Sequence, residues 1–303
     1  MALCNIDYST HSKVAAVAMF AQARQVAHFL CNHPLTRDHR AAAFVRFCRW
    51  QIESRLRREV IVPWIGGIRL AARHGMTGAT GNIYAGLHEF ADMAFTLHFL
   101  RSDDLFLDVG ANIGSYTLLA SGVCKARTIS FEPDPQTMAL LRRNIDLNSL
   151  HGRVVLEQAA VGAEEGEVAF TIGLDTGGHV TKGNAGRTQR VSMRTLDSVA
   201  ALTPPTMIKV DVEGYEADVF RGARAVLNSP LLRAVITEGQ RPGDVAPLLS
   251  AGFVQYEYDP FQRMLSRVVR HGSGNNALFL RDASFVAARL RASPSFLVLG
   301  YTI

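Results

Sequence analysis

Apolar positions along the chain change their period several times, and each change predicts an element. Over residues 38–58 they recur at helical spacing, with Phe44, Cys48, Ile52 and Leu56 in one stripe and Arg46, Arg49 and Arg57 off it. Residues 12–31 repeat the pattern, and Pro34 separates the two predicted helices. Residues 61–86, punctuated by Pro63, Gly66, Gly67, Gly75, Gly78 and Gly81, read as a short β-hairpin and a loop, and a helix over 87–100 follows.

From Leu105 onward short apolar runs alternate with helical stretches. Strands are predicted at 105–109, 128–131, 154–160, 207–212 and 232–237, and helices at 113–122, 135–148 and 215–227. A hairpin-like insertion, 167–172 with 190–194, interrupts the series. Repeated β-α-β units predict an α/β fold with a doubly wound, mostly parallel sheet and an α-helical N-terminal extension. The expected organisation is a basic helical extension over 1–60, a catalytic domain over 61–281 and a tail over 282–303. The tail, helical in "SFVAARLRA" and apolar in "SFLVLGYTI", is expected either to cover the core edge or to meet a partner subunit.

Charge changes this picture in one place. Of the 303 residues, 32 are Lys or Arg and 27 are Asp or Glu, and the first 60 residues hold nine basic against four acidic side chains. The remainder balances at 23 against 23, so the catalytic region lacks the continuous positive surface that phosphate neutralisation requires, and no nucleic-acid partner is expected. The two N-terminal helices would pack on their own domain or form a homo-oligomer. Cys4, Cys31, Cys48 and Cys124 form no C-x-x-C pair, which argues against a zinc knuckle or a disulfide framework and for reduced thiols in a cytoplasmic setting. The apolar stretch 14–21 is poorly flanked for a signal segment, and no run approaches the roughly 18 apolar residues of a membrane span.

Chemistry in such a sheet belongs beyond the carboxyl ends of the strands. The first ends in Asp108-Val109-Gly110-Ala111-Asn112-Ile113-Gly114, a glycine-bracketed turn that opens a helix; alone it fits a tight structural turn as well as a ligand loop. Glu132 stands at the end of the second strand, about 20 residues further on, where a carboxylate binds ribose hydroxyls. Loop and acid together favour an adenosine-containing ligand. Asp108 and the missing G-x-G-x-x-G disfavour a dinucleotide, whose pyrophosphate would meet a negative charge, and favour S-adenosylmethionine, with its ammonium and sulfonium cations. In the fourth strand Lys209 and Asp211 alternate onto one face, ahead of Glu213 and Gly214. Glu238 ends the fifth strand and could face the acceptor, His179 is a candidate base in a glycine-rich loop, and Glu89 opens the preceding helix, from which it could close over the cofactor.

The ordered set "YAGLHEFADMAF", "FLDVGANIGSYTLLA", "FEPDPQTMALLRRNIDLN", "QAAVG", "VSMRTLD", "IKVDVEGYEADVFRGA", "ITEG" and "GNNALFL" resembles the FkbM-type methyltransferase family over roughly residues 84–280. That resemblance implies a class I, Rossmann-like fold and S-adenosylmethionine-dependent O-methylation of a small-molecule, secondary-metabolite or sugar-type acceptor. By the same analogy Asp108, Gly110, Asn112 and Gly114 cradle the methionine end, Glu132 the ribose, and Ala159 and Ala160 the adenine. Asp211 and Glu213 would face methyl transfer, with Lys209 holding the carboxylate or the emerging alkoxide. Metal-free transfer is expected ahead of a Mg²⁺ held by Asp211 and Glu238. The competing readings are a non-catalytic nucleotide-binding scaffold and an NAD-linked oxidoreductase.

Overall fold

A computed structural model describes residues 24–171, 188–200, 202–238, 241–268 and 276–303. Residues 24–32 form α1, and α2 (Arg40–Leu56) follows the break at Pro34. The helical period places α2, but the stripe it marks is not the face that packs on this domain. Its buried residues are Ala43, Trp50 and Ser54, with Phe47 packed edge-on against Tyr84, whereas Phe44 is 52% and Leu56 80% exposed. Two apolar stripes compete on this helix, and contact with Leu30 and Tyr84, distant in sequence, decides between them.

The predicted hairpin is β1 (Val60–Pro63) with β2 (Arg69–Ala72), paired antiparallel. The expected loop after it is instead a helix, α3 (Thr77–Ala85). Gly81 is there for close approach, since a Cβ would lie 2.4 Å from Cγ of His88. The next helix, α4 (Phe90–Phe99), is buried along most of its surface, with Ala91 and Asp92 half-buried near its start.

The alternating runs then build the central sheet. Its parallel strands are β3 (Leu105–Val109), β4 (Arg127–Phe131), β5 (Val154–Glu157), β9 (Met207–Val210) and β10 (Ala234–Thr237). Between β3 and β4 the helix is three residues of α5 (Ser115–Thr117) and a π-turn (Leu118–Val123); α6 (Pro135–Leu147), capped by Asp134, links β4 to β5. The third predicted strand stops at Glu157, because a turn at Ala159 turns the chain into β6 (Ala160–Val161) of a separate small sheet. That sheet is completed by the insertion, β7 (Gly166–Thr171) and β8 (Thr188–Arg194). After α7 (Leu196–Ala200), the predicted 215–227 helix divides into α8 (Glu216–Arg221) and α9 (Arg224–Asn228). Gly222 lies at the break, where a Cβ would stand 2.1 Å from the carbonyl oxygen of Gly162.

Past α10 (Pro242–Ser250) the chain adds three strands that the sequence pattern left unassigned: β11 (Val254–Asp259), β12 (Met264–Arg267) and β13 (Ala277–Leu280). The sheet order is β12-β11-β13-β10-β9-β3-β4-β5, with β13 antiparallel to both neighbours. Direction of winding reverses between β3 and β9, which opens a crevice at their carboxyl ends.

The terminal segments are part of this core. Leu30, Ala43 and Trp50 share a cluster with Ile113 and Leu141. The tail forms α11 (Ala283–Arg291) and a hairpin of β14 (Leu297–Val298) and β15 (Tyr301–Thr302), and Val286, Leu290, Val298 and Ile303 pack with Phe95 and Phe106. Of the two roles expected for the tail, it takes the cover over the core. Among the described residues no helix is long and apolar enough to cross a membrane, and Cys31, Cys48 and Cys124 are unpaired thiols.

Candidate active site

Strand pairing continues past the strand ends and brings their acids to one edge. The amides of Gly110 and Ala111 donate to the carbonyl of Phe131, the Asp211 amide to Val109 and the Glu132 amide to Glu157. The resulting crevice, about 350 Å³, is lined by Glu89, Asp108, Gly110, Asn112, Glu132, Ala159, Ala160, Lys209, Asp211 and Glu213, all of them residues the sequence reading singled out. Gly114 is the exception. It does not line the crevice; at φ +93° it turns the chain, and a Cβ would strike Cδ1 of Leu141 at 2.4 Å, so its role is packing against α6. His179 lies outside the described residues.

The loop after β3 is shaped by close approach. Gly110 has φ +78°, and a Cβ there would lie 1.9 Å from the carbonyl oxygen of Asp211. Gly110→Ala is therefore expected to lower stability by at least about 2 kcal/mol, read from urea unfolding, through backbone strain plus overpacking. Asn112, also left-handed at φ +51°, folds its side chain back to accept from the Ile113 amide at 2.7 Å. This is how a side chain is accommodated at a position where a middle glycine would otherwise serve.

Glu132 is buried, and its two oxygens accept one backbone N–H each, from Asn112 at 3.0 Å and from Asp134 at 2.9 Å. Burial raises its pKa to about 7 despite those two donors. Each oxygen retains a lone pair toward the crevice, the arrangement that receives vicinal hydroxyls.

Asp108 and Lys209 are register partners on β3 and β9. Asp108 accepts from Thr117 Oγ1 at 2.6 Å, and burial raises its pKa while Lys209 opposes the shift. Lys209 donates to Asp211 at 2.6 Å and lies 4.7 Å from the centroid of the Tyr116 ring. Burial works against the Lys209 charge, but Asp211, Glu89 and Asp108 together hold its pKa above the ordinary ammonium range. The alternation argument thus placed the pair correctly, with the Lys209 side chain 4% and that of Asp211 35% exposed. Both border the crevice, and Asp211 is the more exposed of the two.

Glu89 stands at the N-cap of α4 yet makes no capping bond. It accepts instead from Tyr116 Oη at 2.7 Å and from Asn276 Nδ2 at 2.7 Å, and the same amide donates to Asp92 at 3.2 Å. Burial, reinforced by Glu89, raises the Asp92 pKa to about 7. Tyr116, Asn276 and Asp92 were missed as site residues; "GNNALFL" marked the segment of Asn276 without assigning it a role.

Three acids raised to about 7 make apo stability pH-dependent. Between the ordinary carboxylate range and 7 the unfolded chain has released protons that Asp92, Glu132 and Glu238 still hold in the fold, so stability falls as pH rises from about 4.5 to about 7. A melting-temperature series should show that decline, and Asp92→Asn should flatten part of it.

Among the described residues the crevice wall carries seven carboxyls, Glu89, Asp108, Glu132, Asp134, Asp211, Glu213 and Glu238, against the one ammonium of Lys209. Oxygens of Asp211, Glu213 and Glu238 lie within 4.8 Å of one another. Burial first, then Asp211 and Glu213, raises the Glu238 pKa to about 7, so proton uptake relieves this crowding.

A doubly wound sheet whose switch point opens on a glycine turn, a ribose-type acid and an acidic crevice defines a class I methyltransferase. Residues 108–263 match the Methyltransferase FkbM domain, and the chain belongs to that family. Among its relatives is the hexuronic acid methyltransferase AglP of Haloferax volcanii, 31% identical over 169 residues, covering 54% of this chain and 68% of that protein. Another is the 31-O-demethyl-FK506 methyltransferase FkbM of Streptomyces tacrolimicus, 30% identical over 216 residues, covering 56% of this chain and 82% of that one. A solved structure of M. jannaschii TYW2 in complex with AdoMet is a distant likeness, with a TM-score of 0.39 and 16% identity over 74% of this chain and 87% of that one.

Proposed function

We propose that this chain transfers a methyl group from S-adenosylmethionine to a hydroxyl of a small-molecule or glycan acceptor. The observation that carries the reading is the acidity of the crevice, whose described wall sets seven carboxyls against one ammonium already paired with Asp211, with Glu132 held ready for two hydroxyls. A dinucleotide would bring a negative pyrophosphate into this field, whereas a ligand bearing ammonium and sulfonium cations is attracted by it. The names of the two relatives supply the acceptor side of the reading, a hexuronic acid for one and an oxygen of FK506 for the other.

Glu132 fits the ribose, Ala159 and Ala160 the adenine edge, and Asp108 with the turn of Gly110 and Asn112 the methionine end. Bound there, S-adenosylmethionine supplies an electrophilic methyl on a sulfonium. Asp211 holds the acceptor hydroxyl in line and accepts its proton, while Lys209 keeps Asp211 oriented. Glu213 borders the same space and Glu238 faces it from β10. No step requires a metal.

Calorimetric titration with S-adenosylmethionine, S-adenosylhomocysteine and NAD tests the reading. Micromolar binding of the first two without NAD, and turnover that survives EDTA, are expected. NAD binding, or a folded protein that binds none of the three, would overturn it.

A further inference from the structure

A second hollow, about 570 Å³, adjoins the crevice, and His88 and Glu89 line both. Aromatic faces come from three separate elements: Phe29 of α1, Phe90 of α4 and Tyr256 of β11. The polar groups are Glu89, Asp92, Glu257, Gln255 and Asn276, and no Lys or Arg belongs to the described lining. His88 adds no cation, since burial pushes its pKa down even with Glu89 beside it.

Phe29 is held firmly in this wall. Its ring packs on His33 and His88, with centroids 5.1 Å away in each case. His33 is fixed in turn, its Nε2 donating to the Leu87 carbonyl at 2.7 Å and its Nδ1 accepting from the Leu35 amide at 3.2 Å. The N-terminal helix is therefore a built part of the hollow. Asn276 has the same standing on the opposite side, with its amide spent on Glu89 and Asp92.

Most of this wall lies outside residues 108–263, the segment that matches the family; Phe29, the run from His88 to Asp92, and Asn276 are all beyond it. The crevice with its strand-end acids belongs to the matched domain, and the hollow is built largely from segments before and after it.

We propose that the hollow holds the body of the methyl acceptor, presenting one hydroxyl past Glu89 to Asp211, and that it selects a neutral polyhydroxylated molecule over a sugar acid. Flat aromatic faces bury the C–H surfaces of such a ring, and carboxylates and amides at the rim take its hydroxyl protons. A carboxylate on the acceptor would face Glu89 and Glu257, and above about pH 7 Asp92 as well, with no Lys or Arg in the described lining to meet it, and juxtaposed like charges cost several kcal/mol. This separates the chain from the Haloferax relative, whose name specifies a hexuronic acid. The inference rests on the methyltransferase reading for the direction in which the acceptor faces.

The test uses the full chain loaded with S-adenosylhomocysteine and two probes that differ by one group, nitrophenyl β-glucoside and nitrophenyl β-glucuronide, followed by saturation-transfer NMR titration. The glucoside is expected to bind at least about tenfold more tightly. Phe29→Leu should weaken the glucoside about fivefold by removing one stacking face, with S-adenosylhomocysteine affinity unchanged. Glu257→Lys, at an exposed position, should narrow the difference between the probes at least about threefold. Equal or tighter glucuronide binding, glucoside binding indifferent to both substitutions, or no glucoside binding to the loaded protein would each overturn the proposal. Failure of S-adenosylhomocysteine to bind overturns the cofactor reading instead, and the preference between probes is then read on the unloaded chain.

Discussion

Glu132→Ala is expected to weaken S-adenosylhomocysteine by about 10²- to 10⁴-fold while leaving the protein folded, since two hydrogen bonds from ribose to a charged acceptor contribute about 1.5–3 kcal/mol each. Both Glu132 oxygens also anchor backbone amides, those of Asn112 and Asp134, so the alanine variant loosens the turn that meets the methionine end as well as losing the ribose contact. Glu132→Gln separates the two effects. One amide oxygen still accepts a backbone N–H, but the other position now carries hydrogens where an acceptor is needed. The wild type should show a signature of its own. With the Glu132 pKa raised to about 7 by burial, the charged form that receives the hydroxyls is lost below that pH, so affinity should fall as pH drops through 7. Calorimetry at several pH values on all three proteins checks this, and unchanged affinity in Glu132→Ala would remove the acid from the cofactor site.

The strand-end acids were legible because their signal is local. Asp108, Glu132 and Asp211 each close a short apolar run just before a turn or helix, and strand alternation alone put Lys209 and Asp211 on one face. Gly114 was legible as a necessary glycine but not in purpose, because the atom it avoids belongs to Leu141 on another helix. The same limit hid the inward face of α2, where Ala43 and Phe44 are adjacent apolar residues and only contact with the rest of the fold chooses which is buried. Asn276 and Glu89 meet across 187 residues of chain, and no periodicity within either segment encodes that meeting. The hollow beside the crevice, assembled from α1, α4, β11 and β13, is of this second kind. The residues that gather at the crevice could be read from motifs; those that gather at the hollow needed the fold.

Asp211→Asn is expected to lower turnover by about 10²- to 10⁴-fold with S-adenosylhomocysteine affinity little changed, the range for loss of a positioned general base. Asparagine is nearly the same size, so the crevice keeps its shape, but it neither takes a proton nor balances Lys209, whose ammonium is almost wholly buried. The remaining field from Glu89 and Asp108 keeps Lys209 charged, so its head should swing toward them and leave the acceptor hydroxyl without its in-line partner. Glu238 is the rival for the proton. It faces the same space with a pKa raised to about 7 by burial and its acidic neighbours, which suits a base that works near neutral pH. The two assignments give opposite results in a pair of variants. If Asp211 accepts the proton, Asp211→Asn loses turnover at every pH and Glu238→Gln keeps most of it. If Glu238 does, Glu238→Gln is the silent enzyme, and the wild-type rate rises with pH through about 7 as that carboxyl ionises. Lys209→Met completes the argument: by removing the ion-pair partner of Asp211, it should cost turnover under the first assignment and little under the second.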